Sequence, residues 1–131
     1  MTDKIIRFLK ERSPPTPCLV VDLDVIAERF HGLADYLPLA QIYYAVKANP
    51  APQVVKRLIG AGACFDVASP AEVDLCLGLG AAPERLSYGN TIKKRADIAY
   101  AYARGVRLFA FDSEAELDKL ADAAPGALQT T

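Results

Sequence analysis

The chain has 131 residues, of which 52% are hydrophobic and 24% charged, and its formal net charge is −1. This length permits a buried core and makes one domain the default. The balance of 15 basic against 16 acidic residues excludes the basic stripe typical of nucleic-acid binding, and no apolar run approaches the ~20 residues of a membrane helix.

The cysteine content and the first residues bear on the cellular compartment. The three cysteines form no CxxC pair and the chain has a single histidine, so we expect neither a disulfide framework nor a zinc site. The N-terminus carries an acid early and lacks the apolar region of a signal peptide. We therefore expect a cytoplasmic protein with reduced thiols, no metal, and no membrane or nucleic-acid partner.

The N-terminal third predicts two helices separated by a stiff connector. Residues 1–12 have the apolar spacing of a short amphipathic helix, and the proline-rich residues 13–17 end it. Residues 18–21 form a short apolar run typical of a strand. A second helix is then predicted to begin within residues 22–24, with one of the two aspartates there as its N-cap, and to end at Pro38.

From residue 42 onward, apolar runs alternate with helical patterns. The predicted strands are residues 42–47, 63–68, 86–89 and 106–111. The predicted helices are residues 52–60, 70–78 and 93–103, and a last one that follows Ser113. Two of these helices begin with a capping box, in which a serine is followed three residues later by a glutamate: Ser69 with Glu72, and Ser113 with Glu116.

The even spacing of these strands predicts the fold class. Their starts lie about 20 to 23 residues apart, and strand–helix alternation of this kind is typical of βαβ units with a parallel sheet. Both a TIM barrel and an open doubly wound sheet fit this pattern. The regular period, without a GxGxxG sequence after the first strand, favours an α/β barrel of about four βα units.

In α/β barrels the active site lies at the carboxyl ends of the strands, which directs attention to three residues. Lys47 ends an apolar run, where a partly desolvated amine could act as a Schiff-base nucleophile. The alternative is a solvent-exposed lysine at the end of the strand with no chemical role. Asp66 lies within an apolar strand and needs a partner, unless it serves a turn. Glu72 has a sufficient structural role in its capping box.

Other polar residues near the strand ends have simpler interpretations. Asp112 precedes a helix N-terminus, and Asn90 or Thr91 serves as a cap. Residues 93–95, three cations in a row, are predicted to form a solvated first helical turn. His31 is predicted to lie on a helix surface.

Four segments, in their order and spacing, resemble a known family. They are residues 43–50 (YYAVKANP), 65–72 (FDVASPAE), 87–94 (SYGNTIKK) and 111–117 (FDSEAEL). The first resembles the pyridoxal-phosphate lysine motif of the fold-type III, alanine racemase-like enzymes, and the last two fit the ornithine decarboxylase branch. The similarity extends over residues 16–120. The resemblance implies the N-terminal half of a TIM (β/α)8 barrel.

The resemblance also implies a cofactor, a reaction and the residues of the site. Lys47 would hold pyridoxal 5′-phosphate (PLP), Asp66 and Glu72 would lie beside it and keep its amine in place, and Ala45 would line the cofactor. The reaction would be decarboxylation of a basic amino acid, L-ornithine to putrescine in polyamine synthesis, in a homodimer with shared active sites. A diaminopimelate, lysine or arginine decarboxylase and a non-catalytic decarboxylase-like regulator are the alternatives.

The length limits what the chain is expected to do alone. We divide it into residues 1–15, a helix with a proline-rich connector, and residues 16–131, a partial PLP-binding barrel in which 16–21 would give a strand to a separate β-domain. A whole barrel needs ~250 residues. A fifth strand is due near Leu128 without an apolar run to form it, which would leave the fourth strand as an open edge. The family's phosphate loop, ring-stacking histidine and partner-subunit cysteine have no counterpart here, so we expect an inactive piece of a larger enzyme.

Overall fold

The computed structural model of the chain describes residues 1–130, and for residues 128–130 it describes the backbone alone. The helices within this range are α1 (Asp3–Arg12), α2 (Leu23–Tyr36), α3 (Pro52–Ala61), α4 (Pro70–Gly78), α5 (Arg95–Ala103) and α6 (Glu114–Ala123). The strands are β1 (Tyr43–Ala45), β2 (Cys64–Val67), β3 (Leu86–Tyr88), β4 (Leu108–Ala110) and β5 (Leu128–Thr130). No helix in the described range is long and apolar enough to cross a membrane.

The five strands form one parallel sheet in the order β1-β2-β3-β4-β5. Each strand therefore pairs with the next strand along the chain, and a helix lies between them in the sequence. An open doubly wound sheet reverses its strand order at a switch point, whereas a barrel does not. The predicted α/β barrel arrangement is confirmed in this respect.

Local sequence signals set where the helices begin. The side chain of Asp22 caps α2 by accepting from the backbone N–H of Asp24 at 3.1 Å. Ser69 caps α4, and Ser113 caps α6, each by accepting from the N–H three residues on. Such caps satisfy N–H groups that have no partner within the helix, which is why the predicted starts of these helices are confirmed.

The two faces of the sheet differ in burial. The face toward the helices carries the core, in which Phe65, Val67, Leu86, Tyr88 and Phe109 are almost fully buried. On the other face, Ala45, Asp66 and Ser87 are register partners on adjacent strands and are only half-buried. In a barrel this second face lines the interior, so the described residues leave part of it accessible.

Two predictions about strands are wrong. β4 is not an open edge, because β5 pairs with it in parallel from Leu128 to Thr130. Ladder hydrogen bonds come from the backbone, so this pairing does not require the apolar run that the sequence lacks. Residues 18–21 form no strand and lie along α1 in a groove of about 660 Å³.

A third correction concerns the cations that begin the predicted fifth helix. Helix α5 begins at Arg95, and the side chain of Lys93 is fully buried rather than solvated. Its Nζ lies 2.9 Å from Oε1 of Glu116 on α6. Glu116 therefore does not complete a capping box with Ser113, because its carboxylate is used by Lys93 and Lys119 instead. Burial of a cation is acceptable here because a carboxylate compensates its charge.

The acid sensitivity of the fold is expected to reflect this pair. Burial by itself favours the neutral form of Glu116, but its bonds to Lys119 and Lys93 outweigh it and lower the pKa of the carboxyl. A carboxyl whose pKa is lower in the folded state stabilises the fold above its unfolded pKa, and this contribution disappears as the pH falls through the folded pKa. We expect the free energy of unfolding, measured with urea at pH 6 and pH 3, to fall less in Glu116→Gln than in the wild type. Equal losses in both proteins would contradict the assignment.

Candidate active site

The residues predicted to carry the chemistry lie at the carboxyl ends of β1 and β2. A 3-10 turn (Val46–Ala48) directly follows β1, which ends at Ala45. Lys47 is in this turn, two residues after the end of the strand. Asp66 is on β2 and is the register partner of Ala45 on β1. Parallel strands bring their carboxyl ends to one edge of a sheet, so Lys47, Asp66 and Ala45 share this edge.

The charges of the three predicted site residues act on one another. Burial raises the pKa of the Asp66 carboxyl, the positive charge of Lys47 opposes that rise, and the negative charge of Glu72 adds to it. The charges of Lys47 and Glu72 therefore both act on the Asp66 carboxyl, with opposite effects on its pKa.

The side chain of Glu72 is fixed by the start of α4. Its backbone N–H donates to Oγ of Ser69 at 3.3 Å, and its Oε2 accepts from the N–H of Ala68 at 2.8 Å. One of the two hydrogen bonds of the predicted capping box is present, the one that Ser69 accepts. The Glu72 carboxylate accepts from the N–H of Ala68 instead of from the N–H of Ser69. Glu72 therefore combines a structural role with a fixed negative charge near Asp66.

Lys47 is more exposed than its position in the sequence suggested. We expected a partly desolvated amine, whereas the residue is exposed in the structure. This exposure agrees with its place beside the half-buried sheet face that carries Ala45 and Asp66.

Gly89, which follows β3, allows the Asp66 carboxyl to occupy its place. A Cβ added at Gly89 would overlap Oδ1 of Asp66 and lie 2.7 Å from the carboxyl carbon. Real Cβ atoms do not come so close, so any side chain at position 89 would require the carboxyl to move. Glycine in this position reflects close approach of a side chain rather than an unusual backbone angle.

The thiols of the core have no part in this site. Burial, with a smaller effect of Glu72, raises the pKa of Cys76 to about 11. Cys64 is buried on β2 and accepts from Nε2 of Gln41 at 3.1 Å. A thiol reacts as its thiolate, so a pKa in this range makes Cys76 inert near neutral pH.

Sequence reasoning missed three residues near the site. Gly89 carried no signal beyond being a glycine after a strand. Lys93 carried no signal of burial, because it precedes α5 and so has no place in the apolar spacing of that helix. Glu116 did carry a signal, since it lies four residues before the buried Leu120 and hence on the same helix face.

Residues 23–130 match the family model of the pyridoxal-dependent decarboxylases, pyridoxal binding domain. The chain belongs to this family. The predicted resemblance to fold-type III decarboxylases is therefore confirmed, and so is PLP as the cofactor of the family.

Similar decarboxylases are much longer than this chain. The lysine/ornithine decarboxylase of Selenomonas ruminantium is 39% identical over 97% of this chain and 32% of its own length. The ornithine decarboxylase of Caenorhabditis elegans is 40% identical over 83% of this chain and 26% of its own length. Antizyme inhibitor 2 of Xenopus laevis is 35% identical over 97% of this chain and 28% of its own length. The chain thus spans about a third or less of the relatives it matches.

Solved structures of decarboxylases confirm the fold. A crystal structure of lysine decarboxylase from Selenomonas ruminantium matches with a TM-score of 0.87 and 38% identity, over 98% of this chain and 34% of that one. A structure of SrLDC in complex with PLP and cadaverine matches equally well, with a TM-score of 0.87. The sheet described above is accordingly the corresponding part of an α/β barrel decarboxylase.

The residues at the carboxyl edge fit a PLP decarboxylase. The edge offers an accessible primary amine on Lys47, and a primary amine is the group that forms a Schiff base with an aldehyde. Asp66 supplies a half-buried carboxyl whose pKa is raised by burial and lowered by the charge of Lys47, and the glycine at position 89 leaves room for that carboxyl. The donor set of this chain is therefore compatible with the cofactor that the family uses.

Proposed function

We propose that this chain carries the cofactor lysine of a PLP-dependent decarboxylase of a basic amino acid, with Lys47 as that lysine and L-ornithine as the substrate. The observation that carries the proposal is the placement of an exposed lysine, Lys47, near the half-buried Asp66 carboxyl at the carboxyl edge of the sheet. The product would be putrescine, made in the cytoplasm for polyamine synthesis. The ornithine decarboxylase motifs and the relatives named above support this choice.

Each residue of the edge has a separate task in this proposal. When bound, PLP withdraws the electrons left on the substrate when CO₂ departs. Nζ of Lys47 attaches the cofactor, and the Asp66 carboxylate orients that amine and balances its charge. Glu72, held by the N–H of Ala68, keeps a second negative charge near the amine. Ala45 is small and half-buried beside Asp66, so it leaves space on the face that the cofactor occupies.

We further propose that these 131 residues are inactive on their own. The family's phosphate loop, ring-stacking histidine and proton-donating cysteine have no counterpart among the motifs found here. The single histidine, His31, is exposed on α2, which precedes Lys47 in the chain and lies apart from the motif residues. The remaining groups, and the dimer with shared sites that the resemblance implies, would come from sequence that the longer relatives have.

Release of CO₂ tests this proposal. The protein that carries this sequence would be supplied with PLP and, separately, with ornithine, lysine, arginine and diaminopimelate, each labelled in the carboxyl group. We expect the fastest release from ornithine and none from the isolated 131-residue chain. Fastest release from lysine, arginine or diaminopimelate would overturn the substrate, and decarboxylation by the isolated chain would overturn its inactivity.

A non-catalytic regulator is the second candidate function. The 35% identity to a protein named antizyme inhibitor 2 favours it. The presence of both Lys47 and Asp66 argues against it, because a surface that only binds another protein has no need of an exposed lysine beside a half-buried carboxyl. Under this alternative, all four amino acids would release no CO₂ even when the protein holds PLP.

A further inference from the structure

A buried ion cluster joins α6 to the loop that follows β3, and the proposed function does not use it. Its members are Lys93, Glu116 and Lys119. The side chain of Lys93 is 0% exposed and that of Glu116 is 2% exposed. Desolvation of two such charges is costly, and apolar side chains of similar volume often stabilise a fold as well. Stability alone therefore gives no reason for charges here.

The contacts of Lys93 are directed at two strand ends. Its Nζ donates to the carbonyl oxygen of Asn90 at 2.8 Å and to that of Ala110 at 2.6 Å, and it lies 2.9 Å from Oε1 of Glu116. These three acceptors use all three N–H bonds of the ammonium group. Ala110 ends β4 and Asn90 is the second residue after β3, so one cation is bound at the carboxyl ends of two adjacent strands.

Glu116 and Lys119 hold Lys93 in place from the helix side. Oε1 of Glu116 also accepts from the backbone N–H of Lys93 at 3.0 Å. The other carboxylate oxygen pairs with Lys119, whose Nζ donates to the carbonyl of Lys93 at 2.6 Å. The backbone and the side chain of Lys93 are thus both bound to α6, which leaves the cation no alternative position.

The same loop reaches the candidate active site in two ways. Nδ2 of Asn90 donates to the carbonyl of Ala68 at 3.0 Å, and the N–H of Ala68 donates to Glu72. Gly89, the residue before Asn90, lies directly against the Asp66 carboxyl. Any shift of this loop would change the space beside Asp66 and the peptide that holds Glu72.

We propose that Lys93 and Glu116 form a positioning pair, which holds Gly89 and Asn90 against the site and thereby fixes the surroundings of the Asp66 carboxyl. Neither residue touches the site itself, and both act through the loop. The functional meaning of this role rests on the proposed decarboxylase site. The packing of the loop by Lys93 and Glu116 does not depend on that proposal, since it is present in the chain without any ligand.

A titration of Asp66 in the ligand-free chain tests the pair. The carboxyl would be followed by carbon NMR and assigned with Asp66→Asn, while the facing charges, Lys47 and Glu72, stay unchanged. The double variant Lys93→Met with Glu116→Gln removes both charges together and so leaves no unpaired buried ion. We expect the pKa of Asp66 to fall, because a loosened loop admits water to the carboxyl and burial is the largest cause of its raised pKa, larger than the lowering effect of the Gly89 N–H that would be lost.

A milder variant and a control variant complete the experiment. Asn90→Ala removes only the bond of an exposed side chain to Ala68 and is expected to lower the pKa of Asp66 in the same direction, even if the double variant fails to fold. Arg95→Gln with Asp122→Asn removes an exposed ion pair between α5 and α6 and should leave the titration unchanged. Unchanged titration in Asn90→Ala and in a folded double variant, or an equal shift in the control, would overturn the proposal. Because PLP is absent throughout, failure of the proposed function would not affect this result.

Discussion

Replacing Lys47 by alanine is expected to abolish the covalent retention of PLP by the protein that carries this chain. Borohydride reduces a Schiff base to a stable amine, so the reduced protein keeps the fluorescent pyridoxyl group only where a lysine had bound the cofactor. Lys47 is exposed, and exposed positions without special contacts change the free energy of unfolding by less than about 0.5 kcal/mol. The loss of label should therefore occur in a folded protein, as circular dichroism would verify.

The chain offers a matched control for this prediction. Lys56 is an exposed lysine on α3, nine residues beyond Lys47 and outside the carboxyl edge of the sheet. Lys56→Ala is expected to retain the full label after reduction. Equal labelling of the wild type and the Lys47→Ala protein would show that another amine holds the cofactor.

Replacing Phe109 by alanine is expected to destabilise the fold by about 3 to 5 kcal/mol. The Phe109 side chain is 0% exposed, and its ring stacks on Tyr88 at a centroid distance of 6.1 Å. Its truncation leaves a cavity between β4 and the helices that close packing cannot fill. Urea denaturation followed by circular dichroism measures the change in the free energy of unfolding.

A surface phenylalanine separates loss of core packing from loss of an aromatic ring. Phe8 on α1 is 41% exposed, so Phe8→Ala should cost less than about 1 kcal/mol. A loss below about 1 kcal/mol in Phe109→Ala as well would mean that the core is not packed around β4 as described.

The features predicted well from the sequence are those fixed by neighbouring residues. Ser69, Ser113 and Asp22 cap helices because a short oxygen-bearing side chain reaches the N–H groups two or three positions on. The alternation of strands and helices likewise follows from the spacing of apolar residues within each segment. These signals act over a few residues, so they do not depend on how the rest of the chain is arranged.

The features predicted wrongly depend on partners that are distant in sequence. β5 forms because β4 offers backbone groups to it, although its own residues have no strand pattern. Lys93 is buried because Glu116, 23 residues later, lies across from it. A run of three cations does not indicate which of them faces the interior, and only the packing of α5 against α6 decides this.

In the candidate site, too, some features depend on neighbouring residues and others on partners that are distant in sequence. Lys47 and Asp66 are proposed as site residues from motifs and from their places after and within apolar runs, because the carboxyl end of a strand is recognisable in sequence. The close approach of Gly89 to the Asp66 carboxyl arises from the parallel register of β2 and β3. Register is a property of paired strands, so no single segment contained it.

The position of the pyridoxyl group along the chain tests the central claim most directly. The protein that carries this sequence would be incubated with PLP, reduced with borohydride, digested and examined by peptide mass spectrometry. We predict that the peptide containing Lys47 carries the added mass and that peptides containing Lys56 or Lys94, both exposed, do not. An unmodified Lys47 peptide beside a modified lysine elsewhere would contradict the assignment of this site.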